Sequence, residues 1–345
     1  MSLVKKDLIT LAKTVANADS SSQVAYSFGE EKFSYSDLNE TLRNELRELA
    51  GDYSKYRENK NVIFELIETV IDDVLPKKVL SQYGQFADVQ TFAQGDKPIF
   101  KQKITSAAKM RAKQFITKVG LAGRYEVFKL DGRTLEVPTT AFGGAAQIGF
   151  EEFLDGRVDF ADVLNIVLEG LDEAVYREIA KALYASVDNL QKVNVAVTNT
   201  FTEKTMDRLV QTADAYGNAT IYCTYEFAAT MVPADAWVSD SMKDQKWNSG
   251  YLANYKGHRV IVLPQSFEDE TNSTKVIDPS YAWIIPTGGN SKPVKIAFEG
   301  QTAAREVENE DWSREIQTYK KLGVATLITN DICVYRNTSL TIENK

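Results

Sequence analysis

The sequence has a single histidine, His258, and only two cysteines, Cys223 and Cys333, in 345 residues. That scarcity removes whole classes of chemistry. A Ser-His-Asp or Cys-His site would have to use His258, which sits in a Lys-Gly-His-Arg turn with no Gly-x-Ser-x-Gly motif nearby. A solvent-facing turn histidine is expected. One histidine and two distant thiols cannot supply a usual zinc site. The cysteines lie far apart among apolar residues, so two reduced, buried thiols are expected. No run approaches the ~18 apolar residues of a membrane span. The opening MSLVKKDLITLAKTVANADS lacks the apolar core and cleavage site of a signal peptide and reads as a polar helical segment. The glycine pairs in FGGAAQIGF (142–150) and PTGGN (286–290) lack both a phosphate-loop Gly-Lys-Ser/Thr and the dinucleotide fingerprint. Gly143-Gly144 is expected instead to let an extended arm bend or approach another backbone. EDETNSTKVID (268–278) has neither EF-hand spacing nor its central glycine, and reads as a solvated loop. No catalytic, cofactor-binding or metal-binding residue is assigned, and no cofactor is expected.

What is present is charge in blocks. The net charge of −8 argues against a general nucleic-acid coat. Yet between Lys97 and Arg133 ten Lys/Arg face only Glu126 and Asp131, a strongly positive segment. Directly afterwards Glu151, Glu152, Asp155, Asp159, Asp162, Glu169, Asp172 and Glu173 are opposed by Arg157 alone. The aromatics of the positive segment (Phe100, Phe115, Tyr125, Phe128) are too scattered for a base-stacking platform.

Periodicity places the elements. Leu38, Leu42, Leu46 and Leu49 share one stripe of a helix over 36–50, with Ser36 or Asp37 as cap and Gly51 as stop. A second helix, about 60–74, stacks Ile63, Ile67, Val70 or Ile71 and Val74 before Pro76 ends it. Phe160, Leu164, Leu168, Leu171, Val175, Ile179, Leu183 and Val187 predict a helix over 158–190, about 45 Å long, the spine of a domain. From 195 onward helices at 202–216 and 226–232 alternate with strands at 219–225 and 259–263, an α/β layer. YAWIIP and KPVKIAFEG are further strands, and 313–337 reads as two antiparallel strands joined near Lys321–Gly323.

The stretch EVFKLDGRTLEV (126–137) hinges on Asp131-Gly132, a two-residue turn that pairs Leu130 with Arg133 and Phe128 with Leu135. Extended-looking sequence runs back to about Gln114 and forward to about Phe150. Arms of roughly 15 residues reach about 50 Å, longer than most domain strands. A two-stranded ribbon is marginal alone, and bare edges invite association. The hairpin must lie on something, either its own acidic helix or that of a neighbouring copy, and a heterologous contact of the second kind makes rings and shells.

In this order of elements the sequence resembles the major capsid proteins of tailed phages, the Hong Kong 97-type fold. The parts that carry the resemblance are KLDGRTLEV, the 158–190 helix, GYLANYKGHRVIVLPQS and REIQTYKKLGVATLITNDICVYRNTSL. The resemblance implies an α+β subunit with an N-terminal helical arm (1–80) that clasps a neighbour and an extended hairpin (81–150) that lies over the adjacent subunit. It implies a peripheral domain from the spine helix and C-terminal strands (151–194 and 295–345), and an α/β axial domain (195–294) whose loops gather at pentamer and hexamer axes. Lys113, Lys118, Arg124, Phe128, Lys129, Asp131, Gly132 and Arg133 are the expected inter-subunit hairpin residues. Glu151, Glu152, Asp155, Asp159 and Asp162 are the expected acidic docking strip. Only about 80 residues precede the basic segment, which points to a separate scaffolding protein, and numbering from Met1 argues against removal of a prohead segment. Some relatives join a hairpin Lys to an Asn of the next subunit; Lys129 with Asn330 or Asn337 would be that pair here, and nothing in their surroundings marks them as activated. The expected function is an icosahedral shell enclosing phage DNA held without sequence preference, with portal and decoration proteins as further partners, no membrane, assembly in the host cytoplasm and residence in the virion. The alternatives are an encapsulin-type nanocompartment enclosing a cargo enzyme, and a soluble α/β enzyme that uses the hairpin as a dimerisation arm and has a deep pocket lined by groups such as His258 or Asp278.

Overall fold

Leucine spacing decides the N-terminal third. The computed structural model describes residues 5–17, 26–28, 31–33, 35–84, 86–102, 133–147, 160–232, 239–263, 265–269, 271–287, 292–308, 314–327 and 331–340. Helices α1 (Lys5–Asn17), α2 (Tyr35–Ala50) and α3 (Tyr53–Tyr83) are separated by a short antiparallel pair, β1 (Tyr26–Phe28) and β2 (Glu31–Phe33). The expected stripe is buried: Leu38, Leu42 and Leu46 with Ile63, Ile67, Val70, Ile71 and Val74. Two expectations change here. The N-terminal segment is amphipathic rather than polar throughout, since Leu8, Leu11, Ala12 and Val15 are buried in the same core. The described helices of the arm therefore pack into the core of their own subunit. Helix α3 also runs straight through Pro76. A mid-helix proline costs about 3 kcal/mol, but Leu75 and Val79 on either side are fully buried and contribute about 1.5–3 kcal/mol each. Burial wins.

The spine is α4 (Phe160–Val187), 28 residues and so about 42 Å long. Leu168, Leu171, Val175, Ile179 and Leu183 form its buried stripe, and an ion pair from Lys78 to Asp172 (3.3 Å) ties it to α3.

A four-stranded sheet lies against these helices, in the order β3 (Ala87–Phe92), β12 (Val294–Glu308), β13 (Arg314–Thr326), β6 (Thr140–Gln147). β3 and β12 are parallel, and the other pairs antiparallel. β13 is one continuous strand paired with β12, so the expected turn at 321–323 does not exist. Gly323 serves a close approach instead: a Cβ there would stand 2.2 Å from the Pro138 carbonyl oxygen. Gly143 behaves as expected, since its Cβ would stand 2.4 Å from the Thr318 carbonyl oxygen.

The six-stranded sheet has the order β7 (Val195–Thr198), β14 (Cys333–Asn337), β11 (Tyr281–Thr287), β8 (Asn218–Cys223), β10 (His258–Val262), β9 (Asn254–Tyr255). Its strands alternate between two cores. Ala219, Ile221, Cys223, Ala282, Ile284, Cys333 and Tyr335 face α5 (Glu203–Asp214) and α6 (Tyr225–Thr230). Tyr222, Trp283, Ile285 and Val334 join the core of α3 and α4. Both faces being covered explains the nearly unbroken apolar runs. The expected boundary at 295 is thereby corrected: β14 belongs to this sheet, not to the one containing β12 and β13. A last helix, α7 (Asp240–Ser249), is capped by the Ser239 hydroxyl and by Gly250 in the left-handed conformation (φ 77°).

Candidate assembly site at the hairpin root

Two short strands, β4 (Ile99–Gln102) and β5 (Arg133–Glu136), leave the four-stranded sheet side by side. Their register pairs Leu135 with Phe100 and Arg133 with Gln102. The described partner of 133–136 is thus a segment some thirty residues upstream. Phe100, Val137 and Ala297 form a small core there with Phe92, Leu135 and Ala325. The forward arm is also shorter than expected, because 140–147 is bound to β13 as the edge of its own sheet. The segment 103–132 lies outside the described residues.

Glu299, on β12, gathers this root. Its carboxylate accepts hydrogen bonds from the Thr139 hydroxyl, from the Gly95 N–H (3.1 Å) and from the Lys321 ammonium (3.4 Å). These donors, Thr139 first, hold its pKa below the usual carboxylate value. Lys295 pairs with Asp88 (3.0 Å) and lies over the Phe100 ring (5.5 Å). The root is held by a small apolar core and a ring of charge-assisted bonds.

One bulge away, a second clamp fixes α3 to the same strands. The β12–β13 register jumps between Glu299 and Ala303, so residues 300–302 oppose Lys320 alone. A bulge leaves backbone groups unpaired, and side chains take them up. Asp72 accepts from the Thr302 N–H (3.0 Å) and hydroxyl (2.6 Å) and from Lys320 Nζ (2.6 Å). Lys320 also donates to the Gly300 carbonyl (2.7 Å), and Gly300 itself takes φ 68°. The Ala304 N–H donates to Glu68 (2.8 Å).

Of the sequence-predicted hairpin residues, Lys113, Lys118, Arg124, Phe128, Lys129, Asp131 and Gly132 lie outside the described residues, and Arg133 opens β5. Glu151, Glu152, Asp155 and Asp159 also lie outside them, while Asp162 falls in the first turns of α4. Glu299, Thr139, Asp72 and Lys320 were not foreseen. The one available signal was Lys320-Lys321, adjacent charges in a strand-like run where alternation sends one side chain inward.

The remaining candidates resolve as structural groups. His258 is half-buried rather than solvent-facing, its Nε2 3.4 Å from an Asp214 carboxylate oxygen, and it lines an open cleft with Thr220 and Arg259. A cleft of about 520 Å³ between α3, α4 and the six-stranded sheet is lined by Tyr83, Phe86, Tyr176 and Tyr222, without His258 or Asp278. Its carboxylates are engaged, Asp172 by Lys78 and Glu173 by Arg177 and Ser266. Asp269 folds its own loop, accepting from the Ser273 hydroxyl, the Thr274 N–H (3.2 Å), the Thr271 hydroxyl (2.9 Å) and the Ser273 N–H (2.8 Å), and these bonds, the Ser273 hydroxyl first, depress its pKa. Among the described residues no three His, Cys, Asp or Glu gather as a metal site. Cys223 and Cys333 are free and buried, and burial pushes both thiols up to about 12. No described helix is long and apolar enough to cross a membrane.

A family model described as "SPbeta prophage-derived putative capsid protein YonB" matches residues 7–335. No curated protein sequence matches the chain. Among solved structures it is similar to a phage-related protein from Bordetella bronchiseptica RB50, at 12% identity over 80% of this chain and 97% of that one, TM-score 0.50. It also aligns with the head structure of Helicobacter pylori bacteriophage KHP40 (13% identity, 75% and 91% covered, TM-score 0.47). A virus-like particle from Pyrococcus furiosus aligns at 14% identity, with 79% and 99% covered and a TM-score of 0.44.

Proposed function

The chain belongs to this prophage capsid protein family, a major capsid protein of the Hong Kong 97-type fold with a structural role, and on that premise we propose how its copies join. The hairpin that leaves the subunit at β4 and β5 lies across the next copy, and subunits gather as pentamers and hexamers of an icosahedral shell around phage DNA. The observation that carries this reading is the rooted ribbon: both strands are welded to the four-stranded sheet by Glu299 and the Phe100 core, at the two ends of a strongly basic segment. A root this well anchored serves a lever that bears load elsewhere. The acidic start of the spine helix supplies the opposite charge. Exposed ion pairs contribute only ~0–1 kcal/mol each, so charge steers docking and apolar burial holds it.

By the same reading, the helices and the four-stranded sheet form the peripheral unit, and the six-stranded sheet with α5 to α7 the axial one. A separate scaffolding protein directs assembly in the host cytoplasm, portal and decoration proteins complete the particle, and DNA is held without sequence preference. The phage origin of the family makes a packaged genome, not an enclosed cargo enzyme, the content to look for. The test is a charge reversal. Lys113, Lys118 and Lys129 changed together to Glu leave the monomer folded but slow or block shell assembly, as seen by negative-stain imaging. Normal particles from that variant remove the electrostatic steering.

A further inference from the structure

The cleft between α3, α4 and the six-stranded sheet is lined by charge of one sign only. Asp172 and Glu173 reach it from α4, and no Lys, Arg or His lines it. Its walls carry four aromatic rings in two pairs. Tyr83 stacks with Tyr176 (centroids 6.4 Å apart), and Phe86 tilts against Tyr222 (4.8 Å). Ring faces bear negative potential, so the rings and the carboxylates favour the same guest, a cation.

Two polar atoms of the lining residues lack a partner. Tyr222 projects from β8 toward α3 and α4 and is 2% exposed, and its hydroxyl meets no hydrogen-bonding group among the described residues. Gln265 donates its amide N–H to the Ile277 carbonyl (3.0 Å), which fixes its Oε1 as an acceptor; that oxygen too is buried and unpartnered among them. Buried polar groups are nearly always satisfied, and two orphans beside one cavity point to a missing partner. Glu173 adds a third acceptor. Its bonds from Arg177 (3.1 Å) and Ser266 (2.8 Å) both end on Oε1, and no described group donates to Oε2.

The guest must therefore carry positive charge, donate hydrogen bonds and accept none, and present apolar surface to the rings and to Ile261 and Leu263. An ammonium group has three donors and no acceptor. A bare metal ion fits less well, because no three ligating side chains gather among the described residues. The volume of about 520 Å³ falls in the usual range of small-molecule sites. We propose that this cleft binds a primary alkylammonium ion, its N–H groups facing the open acceptors of Gln265, Glu173 and Tyr222 and its chain packed against the rings. The site lies within one subunit and does not depend on how copies join.

Calorimetric titration of the unassembled full-length chain tests this. Putrescine is expected to bind saturably with Kd below about 1 mM, and butanediol, its neutral counterpart, not to bind. Absence of saturable putrescine binding overturns the proposal. So does equal binding of the diol, or an identical heat from NaCl at matched ionic strength. N-acetyl-lysine methylamide separates the two sources of the ammonium group: tighter binding than putrescine assigns the site to a lysine side chain, weaker binding to a free amine. Glu173→Gln is expected to fold normally and to bind putrescine about tenfold more weakly. Tyr222→Phe keeps the ring and removes an orphan hydroxyl, so it is expected to melt no lower than wild type while binding several-fold more weakly. Wild-type affinity in either variant overturns the proposal.

Discussion

Replacing Asp72 by Asn keeps the shape of the bulge clamp and removes its charge. The Asn carbonyl can still accept from the Thr302 N–H, but Lys320, with 1% of its side chain exposed, keeps only the Gly300 carbonyl. Breaking a buried pair by removing one partner costs about 3–5 kcal/mol. The Asp72 side chain is 26% exposed, so water reaches the site and the lower figure applies, about 3 kcal/mol. In a chain of this size that lowers the melting temperature by about 5 °C. Lys320→Met alone leaves a partly solvated Asp72 with its two Thr302 donors and costs about 1–2 kcal/mol. The double variant has no buried unpaired cation and recovers about 2 kcal/mol relative to the sum of the two. Thermal unfolding of the unassembled subunit gives the energies, and amide exchange at Thr302 and Ala304 reports the clamp directly. An Asp72→Asn cost below about 1 kcal/mol, or a strictly additive double variant, refutes the clamp.

Two further outcomes follow from the root. Gly323→Ala drives a Cβ into the Pro138 carbonyl and destabilises by about 1–3 kcal/mol, while Gly144→Ala, with nothing within 4 Å, stabilises its strand by about 0.5 kcal/mol; equal melting temperatures for the two contradict the close-approach reading. Glu299 has a folded pKa depressed by its donors, so its contribution is fully present above the ordinary carboxylate pKa and is lost as pH falls through the depressed value. Amide exchange at β4 and β5 should therefore rise on acidification in the wild type, and Glu299→Gln should flatten that dependence; an identical acid profile in both argues against Glu299 as the hub.

The elements that read correctly from sequence are those whose reason is local. The leucine stripe of α2, the spine helix and the apolar runs of β8 and β11 follow from periodicity and burial. The misreadings share a non-local cause. Pro76 looked like a stop because the buried neighbours that outweigh it were not visible, and Gly323 looked like a turn because Pro138 lies far away in sequence. The assignment of β14 to the other sheet depends on β7 and β11, neither of which is adjacent in the chain. At the root, Glu299 meets Thr139 and Gly95 only after three strands have assembled.

The place of β14 has a consequence for when a subunit becomes competent. It is the last strand of its sheet to be synthesised, yet it sits one position in from the edge, between β7 and β11. Until residues 333–337 emerge, β7 has nothing to pair with and the sheet stops at β11. At about 5–20 residues per second, the ribosome holds back that closing strand for several seconds after β7 is made. A nascent chain thus carries an incomplete sheet, with β11 as its bare edge, until the last stretch of the sequence is made.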